Sequence, residues 1–228
     1  MSKIPYILEK LEGTSVYDVL VEIESAYERI SKEQNTWYEN SKFTCPSGCG
    51  SCCKNFEPDL FESEALYMAA WLLENQKETA LAIADGVFPF DNGDKTCPLF
   101  DKENPYHCSI YEGRAFICRL FGAAGTYDRT GEKVWRPCKF YPDTILQEHN
   151  PPIEKRQYSE SETRNLFGTL PPIMSDLIES SVSASSHSND TVMLREILPQ
   201  KIRFLLWLID MNGNDNPNGS PTNTPFAA

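Results

Sequence analysis

Eight cysteines are the residues in this chain whose type and spacing could do chemistry. Four of them fall within nine residues, in a segment where Gly48 and Gly50 let the backbone turn sharply. Thiolates bind soft cations such as zinc and iron, and short spacings bring several sulfurs together at little cost in chain entropy. The pattern therefore predicts a metal centre. The candidate ligands are Cys45, Cys49, Cys52, Cys53, Cys97, Cys108, Cys118 and Cys138.

The centre has two candidate occupants, an iron-sulfur cluster, of which [4Fe-4S] is the first choice, and zinc. Proteins commonly hold either one with four thiolates. Eight thiols exceed what one such site needs, so we expect either two sites or some free cysteines. Disulfides are not favoured, because adjacent cysteines bridge each other only with strain and the cytosol keeps thiols reduced.

Positive charge collects around the later cysteines. Residues 114–139 contain six basic and two acidic side chains, a local excess of +4 in a chain whose net charge is −12. Four thiolates around Zn²⁺ or a [4Fe-4S] core leave a charge of roughly −2, which nearby cations offset. Arg114 and Arg119 are accordingly the predicted cofactor-binding residues, with Arg136 and Lys139 beside Cys138 in a similar role.

Charge and hydropathy argue against several other classes. A net charge of −12 opposes broad binding to nucleic acid or to an anionic membrane surface. The longest apolar stretch, residues 202–211, is interrupted by Arg203 and Asp210 and is shorter than the roughly 20 residues of a membrane span. The first residues contain no apolar signal segment, so we expect a cytoplasmic protein without a nucleic-acid or membrane partner.

The elements that must position the cysteines are mainly helical. Apolar residues recur at helical spacing over residues 15–42, and good helix formers fill 60–76. Glycine and proline punctuate residues 84–142, where we expect loops, short helices and one or two short strands. Two further helical stretches follow, with breaks at Pro171-Pro172 and near Pro199.

These patterns predict a mainly α fold with irregular, metal-organised loops, few short strands and one cysteine-ligated domain. Residues 1–157 form the metal-binding domain with its N-terminal helix, and 158–211 form C-terminal helices on the same core. Residues 212–228 have almost no apolar content and are expected to be a disordered tail.

Three blocks of this sequence resemble one known family. CPSGCGSCC, then CPLF from Cys97, then CSIYEGRAFICRLFG from Cys108 are similar to the CxxCxxCC family, the YkgJ-type cysteine-cluster proteins with a zinc- or iron-chelating domain. The resemblance covers residues 43–140 and implies that seven of the cysteines occupy the family's positions, with Cys138 an eighth. The first gap is three residues where the family has two, and Ala115 stands where it has proline.

The resemblance leaves the activity open. One branch of the family looks like flagellin lysine N-methylases, which implies a protein-modifying enzyme dependent on an iron-sulfur cluster and a protein substrate as one alternative. A metal-binding module and a metal delivery or storage protein are the other two. The spacing of the first three cysteines also matches radical S-adenosylmethionine enzymes, but no alternation of strands and helices follows it. His107, beside Cys108, is more typical of a solvent-facing residue than of a ligand.

Overall fold

The computed structural model describes residues 2–44, 49–91, 93, 95–182 and 190–214. Its described part is mainly α with few short strands, as the sequence predicts. The helices are α1 (Pro5–Leu11), α2 (Ser15–Ser41), α3 (Glu62–Asn75), α4 (Lys77–Ala84), α5 (Phe116–Leu120), α6 (Asp143–Glu148), α7 (Glu160–Phe167), α8 (Met174–Val182) and α9 (Leu194–Asn214), with short 3-10 helices at Ser51–Asn55 and Tyr111–Gly113.

The strands are short and form two antiparallel sheets. β1 (Asp59–Leu60) pairs with β5 (Val192–Met193), which joins the segment after the cysteine-rich loop to the start of α9. β3 (Lys133–Trp135) lies between β2 (Thr126–Tyr127) and β4 (Tyr158–Ser159). Within the Gly- and Pro-punctuated residues 84–142, the apolar run at 133–135 thus forms a strand, whereas residues 116–118 enter helix α5.

The main hydrophobic core is built around α3. This helix is buried over almost its whole length and packs chiefly against α9, with α1, α2 and α4 around it. Leu66, Ala69 and Leu72 on α3 and Leu198 and Ile202 on α9 are among its buried side chains. Burial of so much apolar surface is the dominant stabilising term for this bundle.

Helix α9 does not break near Pro199, so that prediction is wrong. The helix runs from Leu194 to Asn214 with Pro199 inside it. Proline there removes one backbone hydrogen bond and crowds the preceding turn. Leu198 and Ile202 on either side are completely buried in the main core, and this packing keeps the chain helical.

A second core consists of aromatic side chains. Trp37 near the end of α2 packs against Trp135 of β3 and Phe167 of α7, with ring centroids 6.3 and 5.1 Å from its own. Phe43 lies in the same cluster, two residues before the cysteine-rich segment. Helix α2 spans 27 residues and contributes side chains to both cores, so it fixes one core relative to the other.

The remaining sequence predictions concern where individual helices begin and end, the tail and membrane-spanning segments. The helix predicted over 15–42 is confirmed as α2, whose first turn is capped by the Thr14 hydroxyl accepting from the Tyr17 N–H at 3.2 Å. The break at Pro171-Pro172 separates α7 from α8. Of the expected tail, 212–214 belong to α9 and 215–228 lie outside the described residues. Across the described ranges, no helix has the length and apolar character needed to cross a membrane.

Candidate metal centre

Six cysteines from four separate segments meet at one cavity. The cavity measures about 500 Å³ and is lined by Cys49, Cys52, Cys53, Cys97, Cys108 and Cys118. Cys138 lies next to it, close enough to Cys52 and Cys49 for their charges to influence its ionisation. The first candidate ligand, Cys45, falls outside the described residues. All seven described cysteines are free thiols. The fold brings together thiols from distant parts of the sequence, whose proximity the spacing within each segment does not predict.

Backbone hydrogen bonds hold the cysteine segments against one another. The N–H of Cys97 donates to the carbonyl oxygen of Cys53 at 2.9 Å, and the Thr96 hydroxyl donates to the Lys54 carbonyl at the same distance. The N–H of Ser109, beside Cys108, donates to the Leu99 carbonyl at 3.0 Å. These contacts fix the positions of Cys53, Cys97 and Cys108 without requiring a metal.

Helix α5 presents Cys118, and a buried carboxylate anchors its first turn. Glu64 of α3 is only 2 % exposed, and its Oε1 accepts from the Phe116 N–H at 2.5 Å. Its other oxygen accepts from the Phe61 N–H at 3.0 Å, so one side chain caps the first turns of two helices. Burial raises the pKa of Glu64 to about 7, against the lowering effect of these N–H donors and of Arg119.

Gly50 and His107 lie very close to each other, so the two loops that contain them pack directly together. Gly50 has a φ of +52°, and a Cβ built there would lie 2.5 Å from the Cβ of His107. His107 itself adopts a left-handed φ of +53°, which is unusual for a residue with a side chain. Its Nδ1 is buried with no hydrogen-bond partner among the described residues, so the ring is more enclosed than the sequence suggested.

Two adjacent thiols already have the spacing of metal ligands. The sulfurs of Cys52 and Cys53 are 3.9 Å apart, and sulfurs bound at about 2.3 Å around one tetrahedral ion are about 3.8 Å apart. A hydrogen bond from Cys53 lowers the pKa of Cys52, while the same contact and burial raise the pKa of Cys53. Ionising one thiol of this pair therefore opposes ionising the other in the absence of a cation.

Burial keeps the deeper thiols protonated. It raises the pKa of Cys97 to about 12, and it also raises the pKa of Cys108 and of Cys118. Neighbouring thiols add to the effect, since each thiolate would repel the next. A bound cation reverses this cost by neutralising the thiolates, and its binding releases their protons.

Arg114 is a basic side chain that lines the cavity beside the thiols. Its charge favours the thiolates of Cys52, Cys108 and Cys118, and its guanidinium lies 3.6 Å from the centroid of the Tyr111 ring. Its Nε is buried and has no hydrogen-bond partner within the described ranges. A buried N–H without an acceptor is costly, so an anionic group beside it would be stabilised.

The other predicted cations are placed differently. Arg119 also lines the cavity and favours the thiolate of Cys108, but its guanidinium lies over the Tyr27 ring at 3.8 Å. Its Nε donates to the Arg114 carbonyl at 2.9 Å, which ties helix α5 to the preceding loop. Lys139 favours the thiolate of Cys138. Arg129 and Lys133 line grooves beside the three-stranded sheet rather than the cysteine-lined cavity.

The described thiols lie close together, but their sulfurs do not surround a common point. Among the described side chains, no three of His, Cys, Asp or Glu are placed to hold one ion together. The donor set nevertheless fits zinc or iron, because it consists of thiols, with a 3.9 Å pair and an Arg114 Nε that lacks an acceptor.

Glu64 and Gln34 are positioning residues that the sequence did not indicate. Gln34 of α2 is 8 % exposed and donates its side-chain amide to the Arg119 carbonyl at the end of α5. Both residues lie on helices, where glutamate and glutamine are common on solvent-facing sides. The signal that could have identified Glu64 is its place in the first turn of α3, where an acidic side chain caps backbone N–H groups.

Comparison with models of protein families gives a match that covers the cysteine segments. Residues 44–158 match the model of the CxxCxxCC family, described as "Putative zinc- or iron-chelating domain". That range includes the segments of the cysteine-lined cavity together with Cys138. No curated protein and no solved structure gives a significant match to the chain.

Proposed function

Because the chain belongs to the CxxCxxCC family of zinc- or iron-chelating domains, we propose that it is a metal-binding protein that holds zinc or iron through its clustered thiols. The observation that supports this proposal is the meeting of six cysteines from four segments at one cavity of about 500 Å³. Cys138 and the undescribed Cys45 complete the proposed ligand set.

The protein matrix supplies charge compensation as well as ligands. In the proposal, Arg114 stabilises the anionic thiolate centre directly, since its guanidinium faces three of the cysteines and its Nε lacks an acceptor among the described residues. Arg119 acts more through position, by linking α5 to the loop before it. Groups that contact ligands rather than the metal often change metal affinity by about 10- to 100-fold.

A [4Fe-4S] cluster is the second candidate occupant. The supporting observation is the number of thiols, since six cysteines line one cavity and a single zinc ion needs only four. The iron of such a cluster is held by cysteine thiolates, which are the donors present here. A bound cluster would supply electron-transfer chemistry, while the surrounding residues would hold it and limit water access.

The thiol chemistry also bears on where the protein works. All seven described cysteines are free, and a chelating site needs its thiols reduced. We accordingly propose the cytoplasm, where thiols remain reduced, as the compartment. Expression of a tagged chain followed by cell fractionation tests this point, and recovery of the tag in an oxidising compartment would contradict it.

Anaerobic purification, metal analysis and a visible absorption spectrum test the proposed function. Stoichiometric zinc in a colourless protein supports the zinc form. Iron with inorganic sulfide and broad visible absorption supports the cluster. A chain that folds, but after purification and after incubation with either metal retains neither, would contradict the proposal.

A further inference from the structure

The outward side of helix α9 carries large apolar side chains. Leu198 and Ile202 bury one side of this helix in the main core. On the other side, Phe204, Trp207 and Met211 are 39, 56 and 51 % exposed. Spacings of three and four residues place these three side chains on one face of the helix, here called the α9 stripe. The rings of Phe204 and Trp207 are neighbours, with centroids 6.1 Å apart, so the exposed apolar surface is continuous.

The exposed apolar surface extends from the α9 stripe to helix α4. A terminal nitrogen of Arg203, the residue before Phe204, donates to the carbonyl oxygen of Ala84 at the C-terminal end of α4. Leu81, one turn earlier in α4, is exposed, and so is Val87 just beyond that helix. Two helices therefore contribute to one apolar surface. Contiguous exposed surface of this kind marks an interaction site more often than scattered apolar side chains do.

Two opposite charges border the α9 stripe along one edge. Arg203 and Asp210 are seven residues apart, which is about two helical turns, so their side chains lie on the same side of the stripe. Neither forms an ion pair with another residue in the part of the chain that the structure describes. Along this edge the charge therefore runs from positive, toward the start of α9, to negative, toward its end.

This order of charges is complementary to itself when it is reversed. If the α9 stripes of two copies pack antiparallel, with a two-fold axis near Trp207, Arg203 of each copy faces Asp210 of the other. A parallel arrangement would instead bring like charges together. Charges beside an apolar seam commonly set the orientation of paired helices in this way. A two-fold axis also lets one surface serve both copies, which is the commonest symmetry of protein oligomers.

We propose that the chain forms a homodimer through the α9 stripe, with the two copies of α9 antiparallel and Arg203 paired with Asp210 across the two-fold axis. The proposal goes beyond metal binding and does not depend on it. Among the described residues of α9, Leu194 at its start lines the cysteine-lined cavity, whereas the stripe lies further along the helix. One helix face per copy is a smaller contact than the standard interface of roughly 800 Å² per partner, so the affinity should be moderate.

Sedimentation velocity of the full-length chain, in the presence of a reductant that prevents disulfide-linked dimers, tests the proposal. We expect a monomer–dimer equilibrium with a dissociation constant of about 10 to 100 μM. Trp207→Lys should raise this constant by about 30-fold or more, because it places a charge at the centre of the contact. Ile145→Lys is the matched control, since it adds the same charge at an exposed apolar residue of α6, whose Leu146 belongs to the aromatic core. It should dimerise like the wild type.

A charge exchange between Arg203 and Asp210 distinguishes this contact from any other route to a dimer. Arg203→Glu and Asp210→Arg each bring like charges together in a homodimer, so each variant alone should dimerise at least about tenfold more weakly. An equal mixture of the two restores both pairs of opposite charges and should form a heterodimer with nearly the wild-type affinity. Near-ultraviolet circular dichroism checks that each variant is folded.

Three results would overturn the proposal and leave the proposed function standing. The first is a wild-type chain that stays monomeric up to about 300 μM, above the range expected for a contact of this size. This outcome includes a stripe that binds a different protein or the chain's own residues 215–228. The second is a folded Trp207→Lys variant that dimerises as well as Ile145→Lys. The third is a mixture of Arg203→Glu and Asp210→Arg that associates no better than either variant alone.

Discussion

The backbone N–H of Phe116 donates to the Oε1 of Glu64 at 2.5 Å, so a carboxylate buried in the main core holds the first turn of the helix that carries Cys118. The same side chain caps the first turn of α3 through Phe61. The core and the cysteine-lined cavity are thereby linked at one ionisable residue. We therefore expect a change in the charge of Glu64 to affect both the main core and the cysteine-lined cavity.

The first prediction concerns the pH dependence of stability. Burial raises the pKa of Glu64 from an ordinary value of 4.5 to about 7, so the folded chain binds this proton more tightly than the unfolded chain does. The stabilising contribution is complete below about pH 4.5 and is lost as pH rises through 7, a change of about 3 kcal/mol. Urea unfolding of the metal-free, reduced chain at pH 5 and pH 8 measures it.

Glu64→Gln removes this titration. The free energy of unfolding of the wild type, measured relative to that of the variant, should therefore decrease from pH 5 to pH 8. Glu62→Gln is the control, since Glu62 lies on the same helix turn with its side chain 71 % exposed. It should keep the wild-type pH dependence. Parallel curves for wild type and Glu64→Gln would show that Glu64 does not titrate differently in the folded state.

How far the sequence predicts this molecule depends on the range of the interactions. Helix α2 follows from the local spacing of its apolar residues, and the gathering of thiols is anticipated by their clustering. The sequence predicts a helix break near Pro199 because the local pattern contains no information about the packing of Leu198 and Ile202 in the core. Hydrogen bonds such as that between Cys53 and Cys97 join residues far apart in the chain, which no local pattern encodes.

The second prediction tests the fit between Gly50 and His107. Gly50→Ala places a methyl group 2.5 Å from the His107 Cβ and forces alanine into a positive φ. We expect a loss of about 2 to 4 kcal/mol in the free energy of unfolding, from backbone strain and overcrowding together. A weaker affinity for zinc should accompany it, because Cys49 and Cys108 flank the contact. Urea unfolding and chelator competition measure the two effects.

Gly131→Ala is the matched control, with a φ of +85° but no atom within 4 Å of the added Cβ. It should cost only about 1 kcal/mol and leave zinc affinity unchanged. Adding His107→Gly to Gly50→Ala removes the opposing Cβ and should restore part of the loss. Equal costs for Gly50→Ala and Gly131→Ala would mean that the loops are not held by this contact.

The third prediction concerns Arg195, which joins α9 to two segments near the cavity. Its Nε and one terminal nitrogen contact Glu57 and Asp91 at 2.8 and 2.6 Å, and the other terminal nitrogen donates to the Thr96 carbonyl at 3.1 Å. Arg195→Ala should lower the free energy of unfolding by about 2 kcal/mol, because partly buried carboxylates lose their partner. Urea unfolding at neutral pH measures this loss.

Arg164→Ala provides the comparison. Arg164 pairs with Glu160 at 3.0 Å on the exposed side of α7, and solvent screening limits such a pair to about 0.5 kcal/mol. Because Thr96 precedes Cys97, only Arg195→Ala should also speed the release of bound zinc. If the two variants had similar free energies of unfolding, Arg195 would not be an important link between α9 and the segments near the cavity.

The last prediction concerns the charge that balances the thiolates. Arg114 favours the anionic forms of Cys52, Cys108 and Cys118, whereas Arg129 lies in an exposed turn beside the sheet. Arg114→Gln and Arg129→Gln remove the same formal charge. A difference in zinc affinity between the two variants therefore reports how close each charge lies to the thiols. Arg114→Gln should weaken zinc binding by about tenfold, measured by chelator competition, while Arg129→Gln should change it less than twofold. Raising the salt concentration should narrow this gap only slightly, because a charge enclosed beside the cavity is poorly screened. If the two variants bound zinc equally well, the charge of Arg114 would have no special part in holding the metal.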